Sequence, residues 1–334
     1  MKEMIAAISL LYSIPIHRIV SLKDDKVFLV QSKKDRFVLK LLPYPAMETA
    51  FITDAMSYLS QNGFHDFNEL IPTAKGQLWG RFREQCTLLT KEIHGRVPSY
   101  KKIEDIRAIA AYLGELHCAA AHFFPIHRYD QRIKWGTMID TMKKSRSDLI
   151  TFRQRAKEKT EPDHFDKSYL HQCNYYIEET EKAIEKMSQF YPLLIAEKRR
   201  FGGFCHHDPA YHNFLIQNNG RVGAFDFDYA IADLCAHDVA ALMLKVLKTN
   251  HWEAAPALHC LSSYMKTNPL DHEELRFIYW LLVYPYDFHH AAFARYSEDN
   301  RQHRIEKKLF RWEREKEKRE ELLRTIRPYL LEEP

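Results

Sequence analysis

Short apolar runs separated by polar turns characterise residues 16–92, and they predict β-strands. The segments KVFLVQ and RFVLKLL flank the polar turn SKKD, as the two arms of a hairpin would. GQLWGRF and CTLLTKEI predict further strands. Between these two pairs, PYPAMETAFITDAMSYLSQNG predicts a helix that begins after prolines and ends at Gly63. This part of the chain therefore predicts a small α+β unit, preceded by an amphipathic helix that ends before Pro15.

From about residue 100 onwards, apolar residues recur at helical spacing. The segment IEDIRAIAAYLGELHCAA places its apolar residues on one helical face. Long helices are also predicted over residues 134–158, 165–190, 232–248, 270–292 and 300–327. The change of pattern predicts two parts, an N-terminal α+β lobe over residues 1–93 and a helical C-terminal lobe over residues 94–334. They meet at HGRVPS, where Gly95 and Pro98 interrupt regular structure.

Length, composition and charge narrow the class of protein. A chain of 334 residues is long for one core, which favours two lobes. Hydrophobic residues make up 46% of the chain, which excludes global disorder. The formal net charge of +4, from 49 basic and 45 acidic residues, gives no electrostatic argument for a nucleic-acid partner. Six widely spaced cysteines without a CxxC pair indicate thiols in a reducing compartment.

Targeting signals are not evident in the sequence. No run reaches the eighteen apolar residues that a membrane span needs. The acidic Glu3 and the lack of a small-residue cleavage site argue against a signal peptide. We therefore expect a soluble intracellular protein with no membrane span.

One segment of the helical half is strand-like. NFLIQ and RVGAFDF predict two short strands joined by NNGR, whose Asn-Gly pair suits a tight hairpin turn. The preceding stretch GFCHHDPAYH is rich in histidine and aspartate. Asp208 and Asn213 are therefore expected on a loop, and Asp226 at the end of a strand.

These polar residues are of the types that phosphoryl transfer uses. Asp208 and Asn213 bracket a tight loop, so that a base and a metal ligand can face one pocket. Asp226 adds a hard oxygen ligand suited to Mg²⁺. Asp228 is placed to hold a second ion or to orient the first.

Two residues of the N-terminal half extend this interpretation. Lys40 lies in the middle of the strand RFVLKLL, from which its ammonium group can reach ATP phosphates. Glu48, early in the following helix, is the candidate partner that would hold Lys40 in place. Each has an ordinary alternative, because strand lysines are commonly solvated and acidic residues favour the first turn of any helix.

The order of these motifs resembles the aminoglycoside phosphotransferase and choline kinase group of the protein-kinase-like fold. The motifs are a strand lysine, a helix glutamate, LGELH, H-x-D-x-x-x-x-N and D-F-D. Within that group, HHDPAYHNFLIQ and VGAFDFDYAIADLCAHDVAAL are most similar to the CotS/YutH family of endospore coat-associated proteins. EIHGR is similar to the interlobe segment of that family. The resemblance spans nearly the whole chain and is most specific over residues 203–240.

The resemblance implies a role for each matching residue. In the loop 206–213, Asp208 would be the catalytic base and Asn213 a Mg²⁺ ligand, with Asp226 of the D-F-D segment 226–228 as the other ligand. Lys40 would contact the ATP phosphates. The adenine would lie against the backbone of Thr90, Lys91, Glu92 and Ile93.

The resemblance also implies partners and a location. A hydroxyl group of a small molecule would accept the phosphoryl group. Coat proteins would be the macromolecular partners, in sporulation or in assembly of the spore coat. Synthesis would take place in the cytoplasm of the spore-forming mother cell, followed by association with the coat.

Two departures from the kinase pattern keep alternatives open. Small-molecule kinases of this group usually have glycine between the His and the Asp, where this chain has His207. Residues 17–37 contain no glycine, although a loop that closes over phosphates benefits from it. The alternatives are a kinase-like protein with weak or lost activity and a non-catalytic scaffold of the spore coat. A more remote one is an HD-type metal phosphohydrolase, which the strands following residues 207–208 disfavour.

Overall fold

A five-stranded antiparallel sheet carries Lys40. The computed structural model describes residues 2–125, 129, 131–298 and 303–331. The strands are β1 (Ile16–Lys23), β2 (Val27–Ser32), β3 (Arg36–Leu42), β4 (Gly80–Phe82) and β5 (Gln85–Lys91), in the order β1-β2-β3-β5-β4. The predicted hairpin of KVFLVQ and RFVLKLL is confirmed as β2 and β3. Of GQLWGRF, only the last three residues form a strand.

The two faces of this sheet have different partners. Phe37, Leu39 and Leu41 of β3 are buried in a core cluster that includes residues of the N-terminal helix α1 (Lys2–Tyr12). Because side chains alternate along a strand, Val38 and Lys40 point to the opposite face. We call this the Lys40 face. Cross-strand partners share a face, so this face also carries Val27 and Leu29 of β2 and Leu88 and Thr90 of β5.

Two further helices and a second hairpin belong to the same part of the fold as the sheet. Helix α2 (Ala46–Gln61) follows β3, and helix α3 (Ile103–Ala120) covers the segment predicted to be helical. Strands β6 (Phe214–Ile216) and β7 (Val222–Ala224) form the hairpin predicted from NFLIQ and RVGAFDF. Gly220 lies in its turn with a φ of +82°, a backbone conformation that favours glycine.

The remaining helices are α4 (Met138–Lys157), α5 (His164–Ser188), α6 (Tyr191–Lys198), α7 (Ala236–Thr249), α8 (Ala254–Thr267), α9 (His272–Val283), α10 (Tyr286–Tyr296) and α11 (His303–Leu331). The predicted helix over 270–292 is two helices, because Pro285 interrupts the backbone hydrogen bonds between α9 and α10. Helices α6 and α8 were not predicted. Residues 300–302 of the predicted last helix lie outside the described residues. Within the described ranges, no helix has the length and apolar character needed to span a membrane.

The chain divides into two compact units. One consists of Met1–Ile133 and Phe201–Cys235, and the other of Lys134–Arg200 and Ala236–Pro334. The first contains the sheet, α1 to α3 and the β6–β7 hairpin, and the second contains α4 to α11. This division does not fall at the predicted lobe boundary between residues 93 and 94, because the hairpin is bonded to segments near the sheet. The α+β fold with an N-terminal sheet and a larger helical part is confirmed.

The segment EIHGR is bonded directly to the β6–β7 hairpin. Arg96 and Ile216 exchange two backbone hydrogen bonds of 2.9 Å each. A Cβ atom on Gly95 would lie 2.6 Å from the carbonyl oxygen of Ile216. Arg96 also donates two hydrogen bonds, of 2.8 and 2.6 Å, to the buried carboxylate of Asp105 at the start of α3. Glycine is therefore required at residue 95 by the close approach of another backbone.

We expect Gly95→Ala to lower the free energy of unfolding by about 1–3 kcal/mol, because the added methyl group meets backbone that cannot move aside. Chemical denaturation measures this. Gly80→Ala is the matched control, since its Cβ would also meet an atom at 2.6 Å, but that atom is the end of the flexible Leu11 side chain. A loss at Gly80 as large as that at Gly95 would contradict the explanation.

Candidate functional site

Lys40 lies between two carboxylates of the D-F-D segment. Its Nζ donates to Asp226 Oδ1 at 2.5 Å and to Asp228 Oδ1 at 2.9 Å. The partners are 186 and 188 residues away in the sequence, so only folding brings them together. All three residues belong to the first compact unit. The structure thus unites three of the predicted site residues.

The three charges shift one another's pKa values. Burial alone would lower the pKa of Lys40, but Asp228 and Asp226 outweigh it and raise that pKa. Burial opposes ionisation of Asp226, yet the charge and hydrogen bond of Lys40 lower its pKa overall. Burial raises the pKa of Asp228, and the charge of Asp226 adds to the increase although Lys40 opposes it. Asp226 is therefore the carboxylate that holds its negative charge more firmly.

The predicted ion pair between Lys40 and Glu48 is not formed. Among the described residues, Glu48 is bonded instead to Arg132, whose Nε donates to Glu48 Oε2 at 2.9 Å. The reason is that Asp226 and Asp228 already lie against the Lys40 ammonium group. Glu48 therefore acts on the site through Arg132.

Arg132 is a site residue that the sequence did not reveal. Its side chain is 6% exposed. Its Nη1 donates to the backbone carbonyls of Asp228, at 2.6 Å, and Ala230, at 3.3 Å, and its guanidinium lies 4.7 Å from the ring centre of Tyr44. Arg132 lies in QRIKW, which matches no motif, so no sequence pattern identifies it. Arg132 joins helix α2, through Glu48, to the backbone that follows Asp226.

Asp226 has a left-handed backbone conformation, with φ +69° and ψ +55°. Such a conformation is uncommon for a residue other than glycine, and it is maintained only where neighbours enforce it. Here Phe225 N donates to Asn213 O at 3.0 Å, and the buried ring of Phe227 packs 4.7 Å from that of His206. These contacts fix the direction of the Asp226 carboxylate.

Asp208 and Asn213 are bonded to each other within their loop. The Asn213 side-chain Nδ2 donates to Asp208 Oδ2 at 2.9 Å and to the Asp208 backbone oxygen at 3.0 Å. Asn213 is 1% exposed, and Tyr100 supports the same loop by donating to Pro209 O at 2.6 Å. Because the amide nitrogen serves Asp208, the Asn213 Oδ1 is the atom left to act as a hard oxygen ligand.

His207 occupies a left-handed backbone position, with a φ of +66°. Glycine adopts this conformation without cost, whereas another residue is strained by roughly 1–2 kcal/mol. Histidine is among the residues that tolerate it better than most. The backbone at residue 207 therefore has a conformation that suits glycine, and this loop keeps it with histidine.

The glycine-free stretch before Lys40 contains a tight turn. Asp24 and Asp25, between β1 and β2, have φ values of +46° and +50°, and Lys26 N donates to Lys23 O at 2.9 Å. The positive φ values at both central residues fit a type I′ turn over residues 23–26. Two aspartates therefore take positions where glycine or asparagine is usual, and Lys23 and Lys26 flank them.

The predicted adenine-binding segment lies at the end of β5. Thr90 is on the Lys40 face, opposite Val38. The N–H groups of Lys91 and Glu92 already donate to Glu69 O, at 2.9 Å, and Arg36 O, at 3.3 Å.

The side chains of Lys91 and Glu92 are likewise paired. The Lys91 ammonium group lies 2.6 Å from Glu69, and Arg36 lies 2.8 Å from Glu92. Of the segment 90–93, the Lys91 carbonyl and the Ile93 amide are therefore the backbone groups best suited to a ligand.

The oxygen atoms of Asp226 and Asn213 fit a Mg²⁺ ion that binds together with a nucleotide. Within the part of the chain that the structure describes, no three His, Cys, Asp or Glu side chains converge to form a metal site by themselves. Mg²⁺ commonly needs only one or two protein ligands, because phosphate oxygens and water complete its shell. Asp226 and Asn213 provide that number.

Comparison with solved structures shows the fold. An aminoglycoside phosphotransferase from Alicyclobacillus acidocaldarius subsp. acidocaldarius DSM 446 is 20% identical, with a TM-score of 0.84 over 98% of this chain and 96% of that chain. Amicoumacin kinase hAmiN, in complex with AMP-PNP, Ca²⁺ and Ami, is 17% identical with a TM-score of 0.66 over 97% and 93%. A choline/ethanolamine kinase family protein from Mesorhizobium loti is 14% identical with a TM-score of 0.56 over 97% and 99%. At these identities the likeness establishes a protein-kinase-like fold and nothing finer.

Comparison of sequences shows the family. No curated protein has a significant sequence match to the chain. Residues 6–326, which include every residue of the site described above, match one family throughout. The chain therefore belongs to the family described as "Spore coat putative kinase YutH".

Proposed function

We propose that this protein binds Mg·ATP at Lys40, Asn213 and Asp226 and transfers the phosphoryl group to a hydroxyl group of a small molecule. The observation that carries the proposal is the contact of Lys40 with Asp226 at 2.5 Å. It joins a cation that can bind phosphate with a carboxylate that can bind Mg²⁺. Asp208 and Asn213 lie on the adjoining loop, through the bond of Phe225 N to Asn213 O.

The Lys40 face offers an apolar surface for the base of the nucleotide. Val27, Leu29 and Val38 are only half-buried there, and a purine ring would cover them favourably. At the edge of this surface, the Lys91 carbonyl can accept from the base and the Ile93 amide can donate to it. These two groups support the proposal that adenine lies against the segment 90–93.

The metal would be held by the Asp226 carboxylate and the Asn213 Oδ1. Mg²⁺ bound there neutralises negative charge on the phosphates. Asp228, originally a candidate second metal ligand, keeps the contact with Lys40 in this proposal. Amicoumacin kinase hAmiN has AMP-PNP together with Ca²⁺ in its structure, which supports the assignment of a nucleotide with a divalent cation.

Asp208 would take the proton from the acceptor hydroxyl. Asn213 fixes the carboxylate by donating to Oδ2, and the carboxylate so held would accept the hydrogen bond of the acceptor hydroxyl. A positioned base contributes about 10²–10⁴-fold to the rate of such a transfer. The orientation of Asp208 is therefore part of the proposed chemistry.

A non-catalytic scaffold is the second candidate function. The observation in its favour is the turn at Asp24 and Asp25, which has side chains where a phosphate-covering loop would have glycine. Such side chains hinder the close approach of the backbone to phosphates that glycine allows. The scaffold would use the kinase-like fold as a surface for coat proteins.

We infer that the protein serves the spore coat, whether as an enzyme or as a scaffold. The family description supports coat association. We propose that the protein is made in the mother cell and acts in sporulation or in coat assembly. Small-molecule acceptors are proposed because the aminoglycoside phosphotransferase and the choline/ethanolamine kinase family protein are named for such substrates.

Mg·ATP should stabilise the folded protein, whereas ATP without Mg²⁺ should have little effect. A ligand at one hundred times its Kd adds about 2.7 kcal/mol, which thermal unfolding detects as a rise in Tm. Asp226→Asn should lose this rise and keep the fold, because Asp228 still neutralises Lys40. No rise at millimolar Mg·ATP for the unmodified protein would refute the nucleotide site.

Arg132→Met should weaken Mg·ATP binding about tenfold and lower the free energy of unfolding by about 3 kcal/mol, because it leaves Glu48 and two carbonyls without their partner. Glu48→Gln is the matched control, since its amide oxygen still accepts from Arg132. Calorimetric titration and denaturation measure the two effects. If Glu48→Gln weakened nucleotide binding more than Arg132→Met, Glu48 would be the partner of Lys40 after all.

Asp208→Asn separates the enzyme from the scaffold. The amide keeps an acceptor for Asn213, so the fold and Mg·ATP binding should persist while phosphoryl transfer falls by about 10²-fold or more. An enzyme predicts that this variant reproduces the spore defect of a deletion in a spore-forming host. Spores indistinguishable from those of the unmodified strain would refute catalysis as the role and favour the scaffold.

A further inference from the structure

Asn68 is a buried polar residue beside the proposed adenine position, and the site described so far does not use it. The segment before it is fixed by the pairing of Phe67 with Ala224, and Asn68 N donates to Ala224 O at 3.1 Å. Two residues later, Leu70 pairs with Thr90 of β5. Because residues two apart on an extended segment share a face, Asn68 lies on the Lys40 face beside Thr90.

The Thr90 hydroxyl determines which way the Asn68 amide points. Thr90 Oγ1 donates its single hydrogen to Val38 O at 3.3 Å, so toward Asn68 it can only accept. The Asn68 Nδ2 donates to it at 3.2 Å. The opposite atom of the amide, Oδ1, is thereby turned away from Thr90.

Asn68 Oδ1 is a buried acceptor that receives no hydrogen bond from any described residue. Asn68 is 7% exposed. An unsatisfied buried acceptor is costly, and its presence in a folded protein calls for a ligand or a water that donates to it. The surrounding residues show where that donor would come from, because Thr90 begins the segment to which the base is assigned.

We propose that Asn68 Oδ1 accepts a hydrogen bond from the 6-amino group of adenine and makes the site specific for a 6-aminopurine nucleotide. The amino group has two hydrogens, so the Lys91 carbonyl can take one and Asn68 the other. Guanine and hypoxanthine carry an oxygen at this position, which would face the Asn68 oxygen without a shared hydrogen. A site built around such a buried polar group rejects analogues that leave it unpaired.

This inference rests on the proposed nucleotide site, and nucleotide analogues distinguish the two. The probes are the Mg²⁺ complexes of ATP, GTP and purine riboside 5′-triphosphate, which lacks the amino group, titrated into the full chain by calorimetry. ATP should bind about tenfold more tightly than purine riboside triphosphate, because the analogue can donate to neither Asn68 Oδ1 nor the Lys91 carbonyl. GTP should bind more weakly still.

Asn68→Leu removes the acceptor while keeping a side chain of similar shape. Its ratio of ATP affinity to purine riboside triphosphate affinity should fall to about threefold or less, the part left to Lys91. Asn62→Leu is the control, because the Asn62 side chain also donates one hydrogen bond, to Ala119 O at 3.1 Å, but is exposed. It should leave the ratio unchanged.

Three results would overturn the inference. Equal binding of ATP and purine riboside triphosphate by the unmodified protein would show that the amino group is not recognised. If Asn68→Leu changed neither the ratio nor the affinity for ATP, recognition would be assigned to Lys91 alone. If the variant kept the ratio but bound both triphosphates more weakly, Asn68 would be a packing residue. Failure of every nucleotide to bind would instead refute the proposed function itself.

Discussion

The ammonium group of Lys40 is the centre on which the site depends. One cation lies between two carboxylates, 2.5 Å from Asp226 and 2.9 Å from Asp228, in a place largely shielded from water. Without it, two neighbouring negative charges would remain with little solvent to screen them. Lys40 comes from β3 and the aspartates from the segment after β7. The interaction therefore holds the sheet and the loop in one arrangement.

Arg132 is the second buried cation of the site, and it connects helix α2 to the D-F-D segment. Its charge is balanced by Glu48, and its remaining donors satisfy the carbonyls of Asp228 and Ala230. Both buried cations thus end on the same short segment. In this chain Glu48 contacts the D-F-D backbone through Arg132, and the carboxylates of Asp226 and Asp228 pair with Lys40.

The backbone of the site is strained at two residues, in the loop before Asp208 and at Asp226 itself. His207 and Asp226 both have positive φ, with His206 and Phe227 buried beside them. Packing of those neighbours holds the backbone in the left-handed conformation that glycine would adopt without strain. The loop therefore keeps a left-handed conformation with a histidine at residue 207. The turn at Asp24 and Asp25 also has positive φ values, and there the residues are acidic.

Local pattern determined much of this protein. Strands β2 and β3, helix α3 and the β6–β7 hairpin follow from short apolar runs, helical spacing and an Asn-Gly turn, because each is decided by neighbours in the sequence. The resemblance of HHDPAYHNFLIQ and VGAFDFDYAIADLCAHDVAAL likewise indicated the family that the whole chain matches. Only tertiary structure decided the partner of Lys40, the role of Arg132 and the burial of Asn68. Those contacts join residues far apart in the chain, and competition between Glu48 and the two aspartates for one lysine is settled by distance in the folded protein, which no local pattern encodes.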